Sequence, residues 1–192
     1  MIAPFIRQIR LDGFLSFAPG SAPIELRPLN LLIGPNGSGK SNLLEAFSLL
    51  AQLSQGDAFQ AALRSGGGAS EWLWRGGSAS TLEIEVNGEQ GRRFDYAITW
   101  APRGAGGTQA SILDESFVET TQGRAMTYFR TDGAKVEVAT RYVGPSGPAP
   151  YKTDFIDRQF FKDSTSVLSQ RNTAGAYPDN IWLGEQLARV SE

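Results

Sequence analysis

Residues 29–50 read LNLLIGPNGSGKSNLLEAFSLL, and this stretch carries the strongest structural signal in the chain. It opens with an apolar run at 29–33, which is typical of a strand buried on both faces of a largely parallel sheet. A glycine-rich turn follows at once. Leucine and phenylalanine then recur at helical spacing, which predicts a helix from about residue 40 to residue 53. The turn matches the pattern G-x-x-x-x-G-K-[ST] at Gly34, Gly39, Lys40 and Ser41.

The residue types in this turn suit a polyphosphate. Glycine permits backbone angles that a Cβ would forbid, and it lets the chain approach phosphate oxygens closely. The backbone amides of 36–42 then point inward as an anion nest, at the positive end of the following helix. Lys40 is predicted to reach the β- and γ-phosphates, and the Ser41 hydroxyl to ligate Mg²⁺. ATP with Mg²⁺ is the predicted ligand, and its predicted contacts are Gly34, Pro35, Asn36, Gly37, Ser38, Gly39, Lys40, Ser41 and Asn42.

The composition excludes several kinds of chemistry. The 192 residues include no Cys and no His, which removes disulfides, zinc–thiolate sites, Cys nucleophiles and Ser-His-Asp triads. The formal net charge is −2 and the sequence pI is about 5.3, so no overall basic field points to nucleic acid. No signal peptide or membrane-spanning stretch is visible. We therefore expect one cytoplasmic domain that does not contact a membrane.

After residue 55 the helical spacing gives way to period-two alternation, as at Leu82, Ile84 and Val86. Glycine-rich turns separate such runs, which predicts a meander of antiparallel hairpins. The predicted strands are 81–86, 94–100, 110–119, 126–130 and 135–140, after an opening pair at 5–11 and 24–26. Helical segments are predicted at 58–64, 164–170 and 181–191. Trp72 and Trp74 also alternate like a strand with both indoles on one side, and we expect them to pack in the core.

Residues 29–50 resemble the start of ABC-type ATPases of the RecF/SMC group. In particular, they resemble bacterial ATPases of AAA-like families that begin with the same kind of segment. The exact sequence GPNGSGKSN at 34–42 indicates this group more specifically than the general pattern G-x-x-x-x-G-K-[ST] does. Residues 9–17, IRLDGFLSF, are similar to the first strand of that group, although Leu15 stands where a basic residue is common. Residues 164–172, STSVLSQRN, resemble a later segment. By that analogy Gln170 is a glutamine that senses the γ-phosphate through Mg²⁺, with an exposed polar residue at a helix end as the equal alternative.

The resemblance implies an α/β P-loop NTPase fold with an ABC-ATPase-like mixed sheet and an antiparallel β-subdomain. Residues 1–192 would be the N-terminal part of one such domain, with a P-loop core at 1–57, an antiparallel insertion at 58–150 and a Gln170-bearing helical region at 151–192. The resemblance also brings Phe14 and Phe17 near the adenine, although burial is the expected role of at least one of them.

Several parts that such an ATPase needs are not visible in the sequence. An acidic strand, four apolar residues followed by Asp-Glu, holds Mg²⁺ and polarises the attacking water. The only candidate is 110–115, ASILDE, which we interpret as an edge strand with solvated carboxylates. The signature segment and the switch histidine are absent. We therefore expect an incomplete nucleotide-binding domain, the N-terminal half of a longer ATPase, with some apolar surface exposed.

The leading hypothesis is the ATP-binding portion of a RecF/SMC/ABC-type ATPase in DNA repair or phage defence. Such a protein would form a homodimer through nucleotide and meet DNA or an effector protein through the missing C-terminal half. A non-enzymatic nucleotide-binding regulatory module and a P-loop kinase are the alternatives, and a kinase lid is not visible. A GTPase would need an N/T-K-x-D motif, which the sequence lacks.

Overall fold

The computed structural model describes residues 5–121, 125–132, 134–141, 143–144, 147–171, 173 and 175–190. The helices are α1 Lys40–Gln52, α2 Ala58–Ser65, α3 Val167–Gln170 and α4 Pro178–Ala188. The strands are β1 Ile6–Asp12, β2 Ile24–Glu25, β3 Ser80–Asn87, β4 Arg93–Arg103, β5 Gln109–Glu119, β6 Met126–Asp132, β7 Lys135–Thr140, β8 Val143–Gly144, β9 Gly147–Pro148 and β10 Lys152–Asp157. Short 3-10 turns lie at Ala69–Trp72, Glu89–Gly91, Ala105–Gly107 and Arg158–Phe160.

Eight strands form one sheet in the order β10-β7-β6-β5-β4-β3-β1-β2, and all its pairs among the described residues are antiparallel. The predicted meander of hairpins is confirmed. The expected mixed sheet is wrong for this part of the chain, because no parallel pair forms there. The sheet draws strands from each of the segments 1–57, 58–150 and 151–192, whose division into separate regions stays a prediction.

One face of the sheet carries the core. Alternate residues of β3, such as Leu82, Ile84 and Val86, point into it and are buried. Burying an aliphatic side chain of this size contributes roughly 1.5–3 kcal/mol. Each described helix contributes buried residues to that core. The residues of β3 that point to the opposite face are polar. No helix in the described part of the chain is long and apolar enough to cross a membrane.

The segment 29–33 differs from its prediction. It forms no strand, and Leu29, Leu31 and Ile33 are 88%, 81% and 83% exposed. The physical reason is that a strand needs a partner, and no described strand pairs with these residues. The apolar pattern of the segment is therefore present without the burial that the pattern predicts.

One smaller prediction is also corrected. Residues 69–72 form a 3-10 turn rather than a strand, and only one of the two indoles packs against the core. Trp72 packs on Phe14 at 5.9 Å between ring centroids and donates from Nε1 to the Leu63 carbonyl at 3.1 Å, whereas Trp74 is about one-third exposed. Strand β10 was not predicted, and it forms one edge of the sheet.

Strand β5 lies between β4 and β6 rather than at an edge. Its register with β4 shifts between the pairs Thr99–Asp114 and Trp100–Ile112, which leaves Leu113 as the extra residue of a β-bulge. Because one extra residue exchanges the two faces of a strand, Glu115 points into the core beyond the bulge. The interpretation of 110–115 as an edge strand with solvated carboxylates is therefore wrong for Glu115, which is only 1% exposed.

Candidate functional site

The predicted P-loop forms a concave turn at the start of α1. Residues 36–42 line a concavity of about 340 Å³. Gly37 and Gly39 have φ angles of +80° and +88°, a region that residues with a Cβ rarely adopt. Gly39 is the residue that precedes the first turn of α1. The two glycines thus allow the backbone to curve around a space in front of the helix.

The first amides of α1 have no partner in the described part of the chain. The first helical hydrogen bond runs from the Leu43 amide to the Gly39 carbonyl at 2.9 Å. No described backbone acceptor binds the amides of Lys40, Ser41 or Asn42, and no side chain caps them. No acidic residue lies in the first turn either. Free amides at the positive end of a helix attract an anion, and this end faces the concavity.

The Lys40 side chain folds over the same turn. Its Nζ donates to the carbonyls of Gly34 and Pro35, each at 2.7 Å, and to the Ser38 hydroxyl at 3.1 Å. An ammonium group has three protons, so these three oxygens use all of them. Lys40 thus lies among the residues that line the concavity, and it is partly exposed. A phosphate oxygen entering there would be a stronger, charged acceptor for the same donors.

A second loop contacts this turn, and its serine was not predicted. Residues 14–17 form a tight turn closed by two hydrogen bonds, from the Phe14 amide to the Phe17 carbonyl at 3.0 Å and back at 2.7 Å. Asn42 donates from Nδ2 to the Ser16 hydroxyl at 2.8 Å. Sequence reasoning noticed the aromatic residues of this turn, but a single serine there carries no pattern that could have marked it.

The two aromatic residues of this turn have different places. Phe14 is fully buried against Trp72 and Trp100, as expected of at least one of the pair. Phe17 is partly buried, and its Cζ would lie 3.5 Å from a Cβ placed on Gly39. Phe17 therefore packs beside the P-loop, on the side of the β1–β2 connection.

The structure does not bring Gln170 to the P-loop. Its segment contacts the start of α2, which follows the far end of α1: Gln60 donates to the Ser164 carbonyl at 2.8 Å, and Thr165 to the Asp57 carboxylate at 3.3 Å. The P-loop lies at the other end of α1, a helix of 13 residues that spans about 20 Å.

The amide group of Gln170 is also occupied. Its Oε1 accepts from the Lys162 amide at 2.7 Å, and its Nε2 donates to the Lys162 and Thr165 carbonyls at 3.0 and 2.6 Å. These bonds close the segment 162–170 on itself. The role of Gln170 as a magnesium ligand therefore stays a prediction, and the described geometry does not favour it.

Glu115, the last residue of the candidate acidic strand, is bound to groups remote from the P-loop. Its carboxylate accepts from Tyr96 Oη at 2.8 Å, Ser166 Oγ at 2.5 Å and the Val167 amide at 2.8 Å. Burial raises the pKa of Glu115 to about 7, although these three donors oppose the rise. The carboxylate fastens the start of α3 to the middle of the sheet. It is a structural group in this arrangement.

Among the described residues, no group of three or more Asp, Glu, His or Cys side chains could hold a metal ion. The donors of the P-loop fit a different kind of metal binding. Mg²⁺ keeps several waters and is often held by substrate phosphates with one protein oxygen. The Ser41 hydroxyl, in the first turn of α1, is of the type that such a site uses.

Comparison with known proteins places the chain in a family. Residues 29–190 match the family model described as "AAA domain, putative AbiEii toxin, Type IV TA system". This match covers most of the chain and includes the whole P-loop. The chain belongs to this AAA domain family. AAA domains are P-loop NTPases, so the α/β P-loop class expected from residues 29–50 is confirmed.

Two curated relatives agree with this assignment. The chain is 36% identical over 95 residues to the "DNA replication and repair protein RecF" of Arthrobacter sp. (strain FB24) and 35% identical over 95 residues to that of Renibacterium salmoninarum. Each match covers 46% of this chain and 23% of the relative. The predicted resemblance to RecF-type P-loop ATPases is thus confirmed. The AAA chain spans less than a quarter of the length of these relatives.

Proposed function

We propose that this AAA chain binds ATP with Mg²⁺ through residues 34–42 and is the nucleotide-binding portion of a RecF/ABC-type ATPase. The observation that carries the proposal is the set of free amides at the start of α1, which face the same concavity as the Lys40 ammonium. In this proposal Lys40 leaves the loop carbonyls for the β- and γ-phosphates, and Ser41 supplies a magnesium ligand.

The binding experiment is a calorimetric titration of the purified chain with ATP, ADP and GTP in the presence of Mg²⁺. Lys40→Ala removes the ammonium from the concavity, and we expect at least a tenfold weaker affinity for ATP, because hydrogen bonds to charged groups contribute about 1.5–3 kcal/mol each. Lys152→Ala is the matched control, since it removes the same charge from the exposed edge strand β10. Equal ATP affinity in Lys40→Ala and the parent would refute the proposal.

We propose further that hydrolysis requires a C-terminal half outside the described residues. The segment 29–33 supports this, because its exposed leucines and isoleucine have the pattern of a buried strand. Leu44, on the outer side of α1, is 60% exposed as well. Burying each such side chain would contribute roughly 1.5–3 kcal/mol. A strand of the missing half would pair with 29–33 and bring an acidic group to the phosphates.

Hydrogen exchange tests this step. In a longer version of the protein that extends beyond residue 192, the amides of 30–33 should exchange more slowly than in the present chain, while those of β3 should be unchanged. Equal exchange of 30–33 in the two proteins would contradict the pairing. The proposal also predicts that the longer protein hydrolyses ATP and that the present chain does not. A longer protein that binds ATP without hydrolysing it would instead favour a regulatory nucleotide-binding module.

The biological setting that we propose is DNA repair or phage defence. The relatives are DNA replication and repair proteins by name, and the family description names a toxin of a toxin–antitoxin system. ATP would also hold two copies together, with DNA or an effector protein bound by the missing half. The test is the mass of the longer protein with and without ATP, by light scattering, and its retention of duplex DNA. A longer protein that stays monomeric with ATP and does not bind DNA would contradict this proposed setting.

A further inference from the structure

The turn at 14–17 is built more rigidly than a surface connection needs. Its first residue, Phe14, is fully buried between Trp72 and Trp100, and its ends are joined by the two hydrogen bonds between Phe14 and Phe17. The Leu15 amide donates to the Trp72 carbonyl at 3.0 Å. A turn fixed at both ends and in its middle presents its remaining side chain, Ser16, in one place.

Leu15 shows that this placement is imposed by the surroundings. Its φ angle is +47°, in the left-handed region that residues with a branched side chain rarely adopt. Such a conformation persists only where the neighbouring structure determines it, and it is found most often at functional sites. Here the conformation turns Ser16 toward the first turn of α1.

Ser16 meets α1 at two points. Its hydroxyl accepts from Asn42 Nδ2 at 2.8 Å, and the same oxygen would lie only 3.0 Å from a Cβ on Gly39. The first contact fixes the side chain of the third residue of α1. The second distance shows that the hydroxyl lies beside the residue before the helix and leaves little room for a side chain there. Both bear on the backbone that carries the free amides of the P-loop.

The contact with Asn42 also keeps those amides free. Asparagine side chains compete for nearby backbone amides, which is why they are common at the ends of helices. With its Nδ2 bound to Ser16, the Asn42 side chain is held toward the β1–β2 connection, and the amides of Lys40 and Ser41 stay open to an anion. A helix start without this contact would lose part of its preorganisation.

We propose that Ser16 is a positioning residue of the nucleotide site, which holds Asn42, and with it the first turn of α1, in the conformation that binds phosphate. This inference rests on the proposed function of residues 34–42. Ser16 acts through Asn42 rather than as a ligand, so its removal weakens ATP binding without removing any phosphate contact. The two residues form one unit, and their effects on affinity are therefore not additive.

The experiment is a double-mutant cycle in ATP affinity with Ser16→Ala, Asn42→Ala and the double variant. A single neutral hydrogen bond corresponds to about threefold to tenfold in affinity. We expect that loss in each single variant and no further loss in the double one. Ser16→Thr keeps the hydroxyl and should restore the parent affinity. Ser21→Ala is the matched control, because the Ser21 hydroxyl donates to the Ala18 carbonyl in the same connection.

The thermal midpoint without nucleotide separates positioning from general stability. It should be the same for Ser16→Ala and Ser21→Ala, while only the former loses affinity. Parent-like affinity in Ser16→Ala, or no recovery in Ser16→Thr, would overturn the inference. Lys40→Ala in the same series distinguishes the two failures: if it binds ATP as the parent does, the proposed function fails, and if it alone loses affinity, only the role of Ser16 fails.

Discussion

Replacing Glu115 by glutamine should remove most of the pH dependence of stability between pH 5 and pH 8. The carboxylate is buried and accepts three hydrogen bonds, and burial raises its pKa from 4.5 to about 7. The folded chain therefore holds a proton that the unfolded chain releases between these two values. The stabilisation from this proton is complete below pH 4.5, decreases as the pH rises and is lost above pH 7.

The magnitude follows from the two pKa values. With 4.5 unfolded and about 7 folded, the contribution to the free energy of unfolding decreases by about 2.5 kcal/mol from pH 5 to pH 8. Glu115→Gln has nearly the same shape and cannot titrate. Its Oε1 accepts from the Val167 amide, while its Nε2 donates to the Ser166 or Tyr96 oxygen, because hydroxyl groups can turn to accept. The variant should therefore fold and keep the contacts of α3.

The assay is urea unfolding followed by circular dichroism at pH 5, 6, 7 and 8, with the free energy extrapolated to water. The difference between parent and Glu115→Gln isolates the one group, since every other titrating residue is shared. Glu185→Gln is the control, because Glu185 is exposed on α4 and its variant should follow the parent profile. Parallel profiles for the parent and Glu115→Gln would refute the reasoning that burial holds this proton.

Two further predictions concern the glycines of the P-loop and Gln170. Gly39→Ala places a Cβ on a residue with φ +88°, 3.0 Å from the Ser16 hydroxyl, whereas Gly37→Ala places one at φ +80° in open space. Gly39→Ala should therefore weaken ATP binding more than Gly37→Ala does. Calorimetry measures both affinities, and equal losses would contradict the prediction. Gln170→Ala removes three hydrogen bonds within 162–170, so it should lower the free energy of unfolding by about 1–3 kcal/mol. Its affinity for ATP should equal that of the parent. A selective loss of Mg²⁺-dependent ATP binding would instead support Gln170 as a metal ligand.

The sequence predicted local structure best where one strict pattern decides it. The P-loop turn and α1 follow from fixed positions of glycine, lysine and serine, and the hairpins follow from alternation between glycine-rich turns. Strand β10 was not predicted because the alternating apolar pattern is weak in it. Of Asp154 and Ile156, which pair with buried residues of β7, only Ile156 is strongly apolar. The contact of Ser16 with Asn42 joins residues 26 positions apart, and no local pattern encodes such a pair.

The two larger errors have physical causes that a single sequence hides. The bulge at Leu113 exchanges the faces of β5, so a carboxylate that looks solvated by alternation becomes Glu115 in the core. The segment 29–33 has the composition of a buried strand, but burial also depends on a partner that the segment itself does not contain. An apolar pattern shows that a segment can form a buried strand, but the segment forms one only where neighbouring strands pair with it.

The packing of Phe14 gives this chain an optical signal of its own. Trp72 and Trp100 lie 5.9 and 6.1 Å from the Phe14 ring, at the base of the turn that touches α1. Indole emission changes with small shifts of its surroundings, so phosphate binding that moves this turn would be visible without a dye. Replacing Trp74 and Trp182 by phenylalanine would leave these two indoles as the only emitters of their kind, since the sequence contains four tryptophans. Rapid-mixing measurements of ligand entry then become practical on the unlabelled protein.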